Sequence, residues 1–112
     1  NFTLEDGYAA GLRAARTVKP PFSAFCPTDL PAIGFLRGIY ECGLRVPQDV
    51  AVIGADDIRE GRYLTPSLST VAPGKEKIAE KSVSLLIARM EGKPLPESRI
   101  FIDPTLVPRE TT

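Results

Sequence analysis

The sequence predicts an α/β domain built on a parallel β-sheet, and two apolar runs with the segment between them carry that prediction. The run Phe22–Cys26 is short and lies between prolines and a polar Thr-Asp pair, as expected for a buried strand. The run Val50–Gly54 is continuously apolar and rich in β-branched residues, which is typical of a central strand buried on both faces. An amphipathic segment separates them, and strand, helix and strand in that order form the βαβ unit of a parallel sheet.

A first helix is predicted over residues 4–17, ahead of the first strand. Thr3 can cap the start of this helix, and Asp6 can form the reciprocal hydrogen bond of a capping box. Apolar residues then follow at helical spacing, at Leu4, Tyr8, Leu12 and Ala15. Because a helix that covers a parallel sheet normally follows a strand, we expect the fold to begin upstream of Asn1.

The two predicted strands flank a second helix over residues 29–42. Thr28 is placed to cap this helix, and Asp29 interacts favourably with the positive end of its dipole. Gly43 suits the left-handed conformation that ends a helix. The inner face of the helix is predicted from its apolar stripe, which consists of Ile33, Leu36, Ile39 and Tyr40.

The second half of the chain is predicted to contain a third helix and several short strands. A short strand or crossing segment is expected at 68–71, the helix at 76–91, and final short strands within 100–107, at 100–102 and 106–107. The third helix carries an apolar stripe that we expect to be buried, formed by Ile78, Ala79, Val83, Leu86, Ile87 and Met90.

Composition excludes several functions for this segment. Lys and Arg together number 14 and so do Asp and Glu, whereas a surface that binds nucleic-acid phosphates normally needs a clustered basic excess. The chain has no histidine, no phosphate-loop or nucleophile-elbow motif and no metal-ligand cluster, so we expect no catalytic residue, metal or cofactor. No apolar run approaches the length that spans a membrane. Cys26 and Cys42 lack CxxC spacing, and we expect two buried thiols in a reducing cytoplasm.

Acidic residues follow both predicted strands, in Thr28-Asp29 after the first and in Asp56-Asp57 after the second. Ligands of open α/β sheets bind beyond the carboxyl ends of the strands. A carboxylate can accept hydrogen bonds from two neighbouring hydroxyls, which makes a lone aspartate a natural sugar contact. The alternative is that Asp56 and Asp57 cap a turn and brace the loop, and that Asp29 only stabilises the start of its helix. The residues alone leave both interpretations open.

Several ordered pieces of the sequence together resemble the lactose/galactose repressor family of bacterial transcription regulators. They are Thr28-Asp-Leu-Pro-Ala-Ile-Gly34, Gly43-Leu-Arg-Val-Pro-Gln-Asp-Val50 and Val52-Ile-Gly-Ala-Asp-Asp-Ile58, continued by Arg62-Tyr-Leu-Thr-Pro66, Leu68-Ser-Thr-Val71 and Leu106-Val-Pro-Arg-Glu-Thr111. The resemblance runs from about Asn1 to Thr112. It differs from the family's usual pattern at Thr28, where Asn is common, and at Ala55, where an aromatic residue is common.

The resemblance implies a periplasmic binding protein type I-like fold of two lobes. These residues would be the C-terminal part of the effector-binding domain and mostly its second lobe, with the third helix crossing to the first lobe. The N-terminal helix-turn-helix headpiece and most of the first lobe would be absent from the segment. Members of the family bind operator DNA through that headpiece, so DNA contact would come only from there.

The resemblance also assigns residues to roles. Asp56 would contact the effector, with Thr28 or Asp29 assisting, whereas Asp57 would be structural. Ile33 and Tyr63 match positions that tend to lie at a homodimer interface. The departures at Thr28 and Ala55 leave the identity and the orientation of the effector open.

The favoured hypothesis is therefore the effector-binding and dimerisation portion of a cytoplasmic DNA-binding transcriptional regulator, a repressor that responds to a sugar or related small polar metabolite. The alternative is an extracytoplasmic sugar-binding protein of a transporter, which would share the fold without the dimeric switch. An enzyme on a similar sheet is the third possibility, and the missing catalytic inventory argues against it.

Overall fold

The structure is a computed structural model that describes residues 2–95, 97 and 99–112. Its helices are α1 (Leu4–Thr17), α2 (Asp29–Glu41) and α3 (Lys75–Met90), with a short 3₁₀ helix at Arg59–Tyr63. Its strands are β1 (Phe22–Phe25), β2 (Val50–Ala55), β3 (Ser69–Ala72) and β4 (Thr105–Val107). They form one sheet in the order β1-β2-β3-β4, in which β1, β2 and β3 run parallel and β4 is antiparallel to β3. The α/β class with a largely parallel sheet is confirmed.

The start of α1 follows from its sequence. The hydroxyl of Thr3 accepts a hydrogen bond from the backbone N–H of Asp6, and the Asp6 carboxylate accepts one from the backbone N–H of Thr3. This reciprocal pair satisfies two donors that a helix start would otherwise leave without partners. The helix ends at Thr17 because Val18 is extended, shortly before the prolines at 20 and 21.

Helices α1 and α2 pack backbone against backbone. Glycines four residues apart on each helix form the contact, namely Gly7 and Gly11 on α1 and Gly34 and Gly38 on α2. A Cβ on Gly34 would lie 1.9 Å from the carbonyl oxygen of Leu4, and one on Gly7 would lie 2.0 Å from that of Pro31. Only hydrogen atoms fit there, so any larger residue would push the two helices apart.

The core lies between α2 and the parallel strands. The buried apolar residues are Cys26, Ala32, Phe35, Ile39, Val50, Val52 and Leu68. Every second residue of β2 is buried, and α2 packs Ala32, Phe35 and Ile39 into the core. The stripe predicted for α2 is therefore only partly right: Ile39 is fully buried and Ile33 and Leu36 are half-buried, but Tyr40 is 72% exposed. Burial of each large side chain contributes roughly 1.5–3 kcal/mol to stability.

Helix α3 contrasts with α2, because none of its residues is buried. The stripe that we expected to be inside is exposed instead, with Leu86 at 60% and Met90 at 78%. The molecule is correspondingly elongated, 59 Å by 25 Å by 22 Å. The prediction of a buried face is therefore wrong for the described residues, since none of them packs over the stripe.

The predicted strand at 100–102 is also wrong. These residues form no ladder, and Phe101 is 87% exposed. The only strand within 100–107 is β4, which pairs with β3 through Thr105, Leu106 and Val107. An apolar triplet becomes a strand only where a neighbouring strand offers its backbone groups, and no described strand lies beside 100–102.

The last residues of the chain complete the sheet where β2 and β3 do not pair. Thr111 is fully buried, and its carbonyl oxygen accepts from the N–H of Val52 at 2.9 Å. Its hydroxyl donates to the carbonyl of Val52 at 2.7 Å and accepts from the N–H of Ser69 at 2.8 Å. This segment thereby satisfies buried backbone groups of both strands.

Candidate functional site

The carboxyl ends of β1, β2 and β3 bring the acidic residues predicted after the first two strands into one cluster. The carboxylate of Asp29, after β1, accepts a hydrogen bond from the backbone N–H of Ile58, in the loop after β2, at 2.8 Å. The hydroxyl of Thr70, in β3, donates to the same carboxylate at 2.7 Å. Three neighbouring strands therefore meet at Asp29, at the edge where α/β sheets bind ligands.

Asp29 is the buried centre of this cluster. Its side chain is 1% exposed, and both of its carboxylate oxygens accept hydrogen bonds from within the chain. The absence of a side chain at Gly54 makes room for it, because a Cβ there would lie 2.2 Å from one of these oxygens. The geometry suits a brace that ties the start of α2 to β2 and β3.

Thr28 occupies the N-cap position of α2 in an extended conformation, as expected. Its side chain makes no capping hydrogen bond, however, so the predicted cap is only positional. Thr28 is half-buried, and its hydroxyl takes no part in the hydrogen bonds of the described residues. It can therefore donate to or accept from a bound molecule.

Asp56 and Asp57, which we refer to as the acidic turn, both have positive backbone φ angles, of 102° and 48°. Such conformations cost non-glycine residues about 1–3 kcal/mol each and persist only where the surroundings impose them. Here the N–H of Asp56 donates to the carbonyl of Val71 at 2.9 Å, and that of Asp57 to the hydroxyl of Thr70 at 3.3 Å. The end of β3 thus holds the backbone of the acidic turn.

The Asp57 carboxylate is engaged by two arginines. Arg109 donates to one oxygen at 2.6 Å and Arg62 to the other at 2.7 Å. The hydrogen bond from Arg109 is the main cause that lowers the pKa of Asp57, with a smaller contribution from Arg62. Asp57 therefore stays ionised and bound within the chain, which suits the structural role expected of it.

The carboxylate of Asp56 differs from its neighbours. It is half-buried, and no side chain or backbone group in residues 2–95, 97 and 99–112 donates a hydrogen bond to it. Since Asp29 and Asp57 are already engaged, Asp56 is the acidic group of this cluster with both oxygens available to accept hydrogen bonds from a ligand.

A second surface contains the residues predicted for an interface. Ile33 lines an open groove of about 840 Å³ whose apolar walls also include Leu36, Tyr40, Leu44, Val46 and Leu64. Tyr63 lies next in the chain to Leu64, at the end of the 3₁₀ helix, and is 75% exposed. Its ring faces the guanidinium of Arg59 at 5.9 Å. An apolar groove beside an exposed tyrosine has the composition of a protein interface.

The two cysteines have different environments, so the expectation of two buried thiols is wrong for one of them. Cys26 is buried, and loss of solvation raises its pKa to about 11. Cys42, the C-cap residue of α2, is exposed. The apolar stripe of α2 gave no information about a residue beyond the last helical turn.

The described residues offer no group of three or more His, Cys, Asp or Glu side chains that could hold a metal ion. Their helices are also too short or too polar to cross a membrane. A parallel sheet whose strand ends present polar groups, one of them an unsatisfied carboxylate, defines the class as an α/β ligand-binding domain.

Sequence comparison identifies the family. The profile of the periplasmic binding protein-like domain matches residues 1–112. Two proteins described as HTH-type transcriptional repressor PurR match over 99% of this chain and 33% of their own length. The protein from Erwinia tasmaniensis is 38% identical and the one from Pectobacterium atrosepticum 36%. The chain belongs to the periplasmic binding protein-like domain family, as part of an effector-binding domain of the lactose/galactose repressor type.

Solved structures agree with that assignment. A LacI family regulator from Arthrobacter sp. FB24, in complex with lactose, has a TM-score of 0.90 and 34% identity over 98% of this chain and 42% of its own. The lac repressor dimer bound to operator and the anti-inducer ONPF has a TM-score of 0.87 and 26% identity over 98% and 38%. The chain spans about a third of the length of the curated relatives that it matches.

Proposed function

We propose that this chain is the effector-binding and dimerisation portion of a bacterial transcriptional repressor. The observation that carries the proposal is the Asp56 carboxylate, which the acidic turn holds at the carboxyl end of β2 with no partner among the described residues. The relatives support a regulator over the sugar-binding protein of a transporter, because the relatives at 36% and 38% identity are described as transcriptional repressors. A repressor of this kind has no catalytic step.

The effector is a sugar or a related small polar metabolite. Asp56 accepts hydrogen bonds from the hydroxyls of the effector, and the Thr28 hydroxyl forms a further hydrogen bond with it. Asp29 does not contact the effector, and it supports the site by connecting the start of α2 to β3 and to the loop after β2. Burial of Asp29 and its two internal hydrogen bonds support this division of roles. The lactose bound to the regulator from Arthrobacter supports the ligand class.

The switch requires parts of the regulator beyond these 112 residues. A first lobe closes over the effector and covers the apolar face of α3, and an N-terminal helix-turn-helix headpiece binds operator DNA in the cytoplasm. The effector shifts the population between two arrangements only if it binds one of them more tightly. The length of the relatives and the uncovered face of α3 support this arrangement.

The predicted result of removing the Asp56 charge is a loss of effector binding without a loss of folding. In the full-length protein, Asp56→Asn weakens lactose binding about tenfold or more, the size expected for hydrogen bonds to a charged group. Isothermal titration calorimetry measures the affinity and thermal unfolding measures stability. Asp103→Asn, at an exposed aspartate, is the matched control. Undiminished affinity in folded Asp56→Asn would remove Asp56 from the site.

The regulator also forms a homodimer through the groove that Ile33 lines and through Tyr63. We expect Tyr63→Asp to weaken the dimer, because it puts a charge into an apolar interface while changing a side chain that is 75% exposed within the chain. Sedimentation equilibrium of the full-length protein measures the effect. Phe101→Asp, at an aromatic residue 87% exposed, is the control. A dimer of unchanged affinity in Tyr63→Asp would contradict this interface.

A further inference from the structure

One side chain links the end of the sequence to the acidic turn. The guanidinium of Arg109 donates to Asp57 at 2.6 Å and to the carbonyl of Leu68 at 2.8 Å, and its backbone N–H donates to the Ser69 hydroxyl at 2.7 Å. Arg109 therefore joins the segment after β4, the start of β3 and the loop after β2. No residue of the acidic turn contributes to the other two contacts, so they hold Arg109 in place independently.

The acidic turn needs such an anchor because its backbone conformation is unfavourable. Two successive aspartates with positive φ angles relax towards more common backbone conformations unless several contacts hold them in place. The N–H groups of both residues are already held by β3. The Asp57 carboxylate is the remaining point at which the turn can be held, and rotation there would carry the neighbouring Asp56 carboxylate with it.

The two arginines on Asp57 are not equivalent. Arg62 is 55% exposed and only five residues away, so its ion pair closes a local loop that solvent screens. Arg109 and Asp57 are each 16% exposed, and they lie 52 residues apart. The longer connection, through a better shielded pair, ties the turn to the sheet.

We propose that Arg109 is a positioning residue for effector binding, which orients the Asp56 carboxylate through its contact with Asp57. This inference rests on the proposed function, since it assigns Asp56 to the effector. The segment after β4 then belongs to the effector site although none of its residues touches the ligand.

The test compares Arg109→Gln with Arg62→Gln in the full-length protein. Hydrogen–deuterium exchange of the peptide over residues 54–60 reports the order of the acidic turn without any ligand, and lactose titration reports binding. We expect Arg109→Gln to accelerate exchange and weaken lactose binding, each by about tenfold or more, as for loss of a hydrogen bond between charged groups. Arg62→Gln changes both by less than about twofold. Arg109→Lys, which keeps the charge, restores part of the affinity.

A purely structural role predicts a different pattern, in which Arg109→Gln lowers the melting temperature but the folded protein binds lactose as the unsubstituted protein does. That result overturns the inference, as does unchanged exchange over 54–60. If Arg109→Gln fails to fold, Asp57→Asn supplies the same two readouts, because it leaves the other contacts of Arg109 in place.

If Asp56→Asn binds lactose normally, the proposed function of Asp56 has failed and this inference fails with it. If the unsubstituted protein does not bind lactose, faster exchange over 54–60 in Arg109→Gln but not in Arg62→Gln supports the anchoring of the acidic turn by Arg109, and unchanged exchange overturns the inference.

Discussion

Helices α2 and α3 have the same kind of sequence and opposite environments. Both carry an apolar stripe at helical spacing, yet Ile39 of α2 is fully buried whereas Leu86 of α3 is 60% exposed. The difference lies in what is beside them, since α2 packs against α1 and β2 and α3 has no comparable contact with any described element. A periodic apolar stripe is therefore not enough to predict burial, because burial also requires a neighbouring element that packs against the stripe.

The largest effect on stability is expected from truncating a buried side chain of α2. Ile39→Ala should lower the free energy of unfolding by about 2–5 kcal/mol, because it removes a buried side chain and leaves a cavity in the core. Urea denaturation measures it in the 112-residue chain and in the full-length protein. A loss below about 1 kcal/mol in both would show that α2 is not packed as described.

The effect of a similar side-chain truncation in α3 on stability should depend on whether the rest of the protein is present. Leu86→Ala should change the stability of the 112-residue chain by less than about 0.5 kcal/mol, since the side chain is mostly exposed there. In the full-length protein, where we propose that a first lobe covers α3, the loss should reach about 2 kcal/mol or more. Urea denaturation of both forms makes the measurement, with Lys81→Ala as the control on the same helix. Equal small losses in both would mean that the face of α3 stays uncovered.

Sequence reasoning succeeded where the signal is local. The β-branched run at 50–54 and the spacing of α2 were enough to predict the βαβ unit, and the rule about strand ends was enough to bring Asp29 and the acidic turn to one edge. These predictions need only a few neighbouring residues each. The resemblance to a family supplied the lobes and the effector, which no local pattern contains.

The failures concern contacts between residues far apart in the chain. Burial of Asp29 depends on Thr70, and the ion pair of Asp57 depends on Arg109, which is 52 residues away. No periodicity connects such pairs. The strand predicted at 100–102 failed for a related reason, because a strand requires a partner that the sequence around it does not specify. The paired glycines of α1 and α2 were a visible four-residue repeat, and that signal could have predicted the close helix contact.

The position of Thr111 has a consequence for synthesis on the ribosome. Its carbonyl and hydroxyl form hydrogen bonds with the backbone of Val52, and its hydroxyl also accepts one from the backbone N–H of Ser69. These backbone groups are synthesised earlier, and they obtain their partners only after Thr111 has been synthesised. While the nascent chain is still held in the exit tunnel, β2 and β3 can align but the gap between them stays open to water. The sheet therefore reaches its final form only after residues 109–112 have left the tunnel, and the acidic turn gains its second arginine at the same moment.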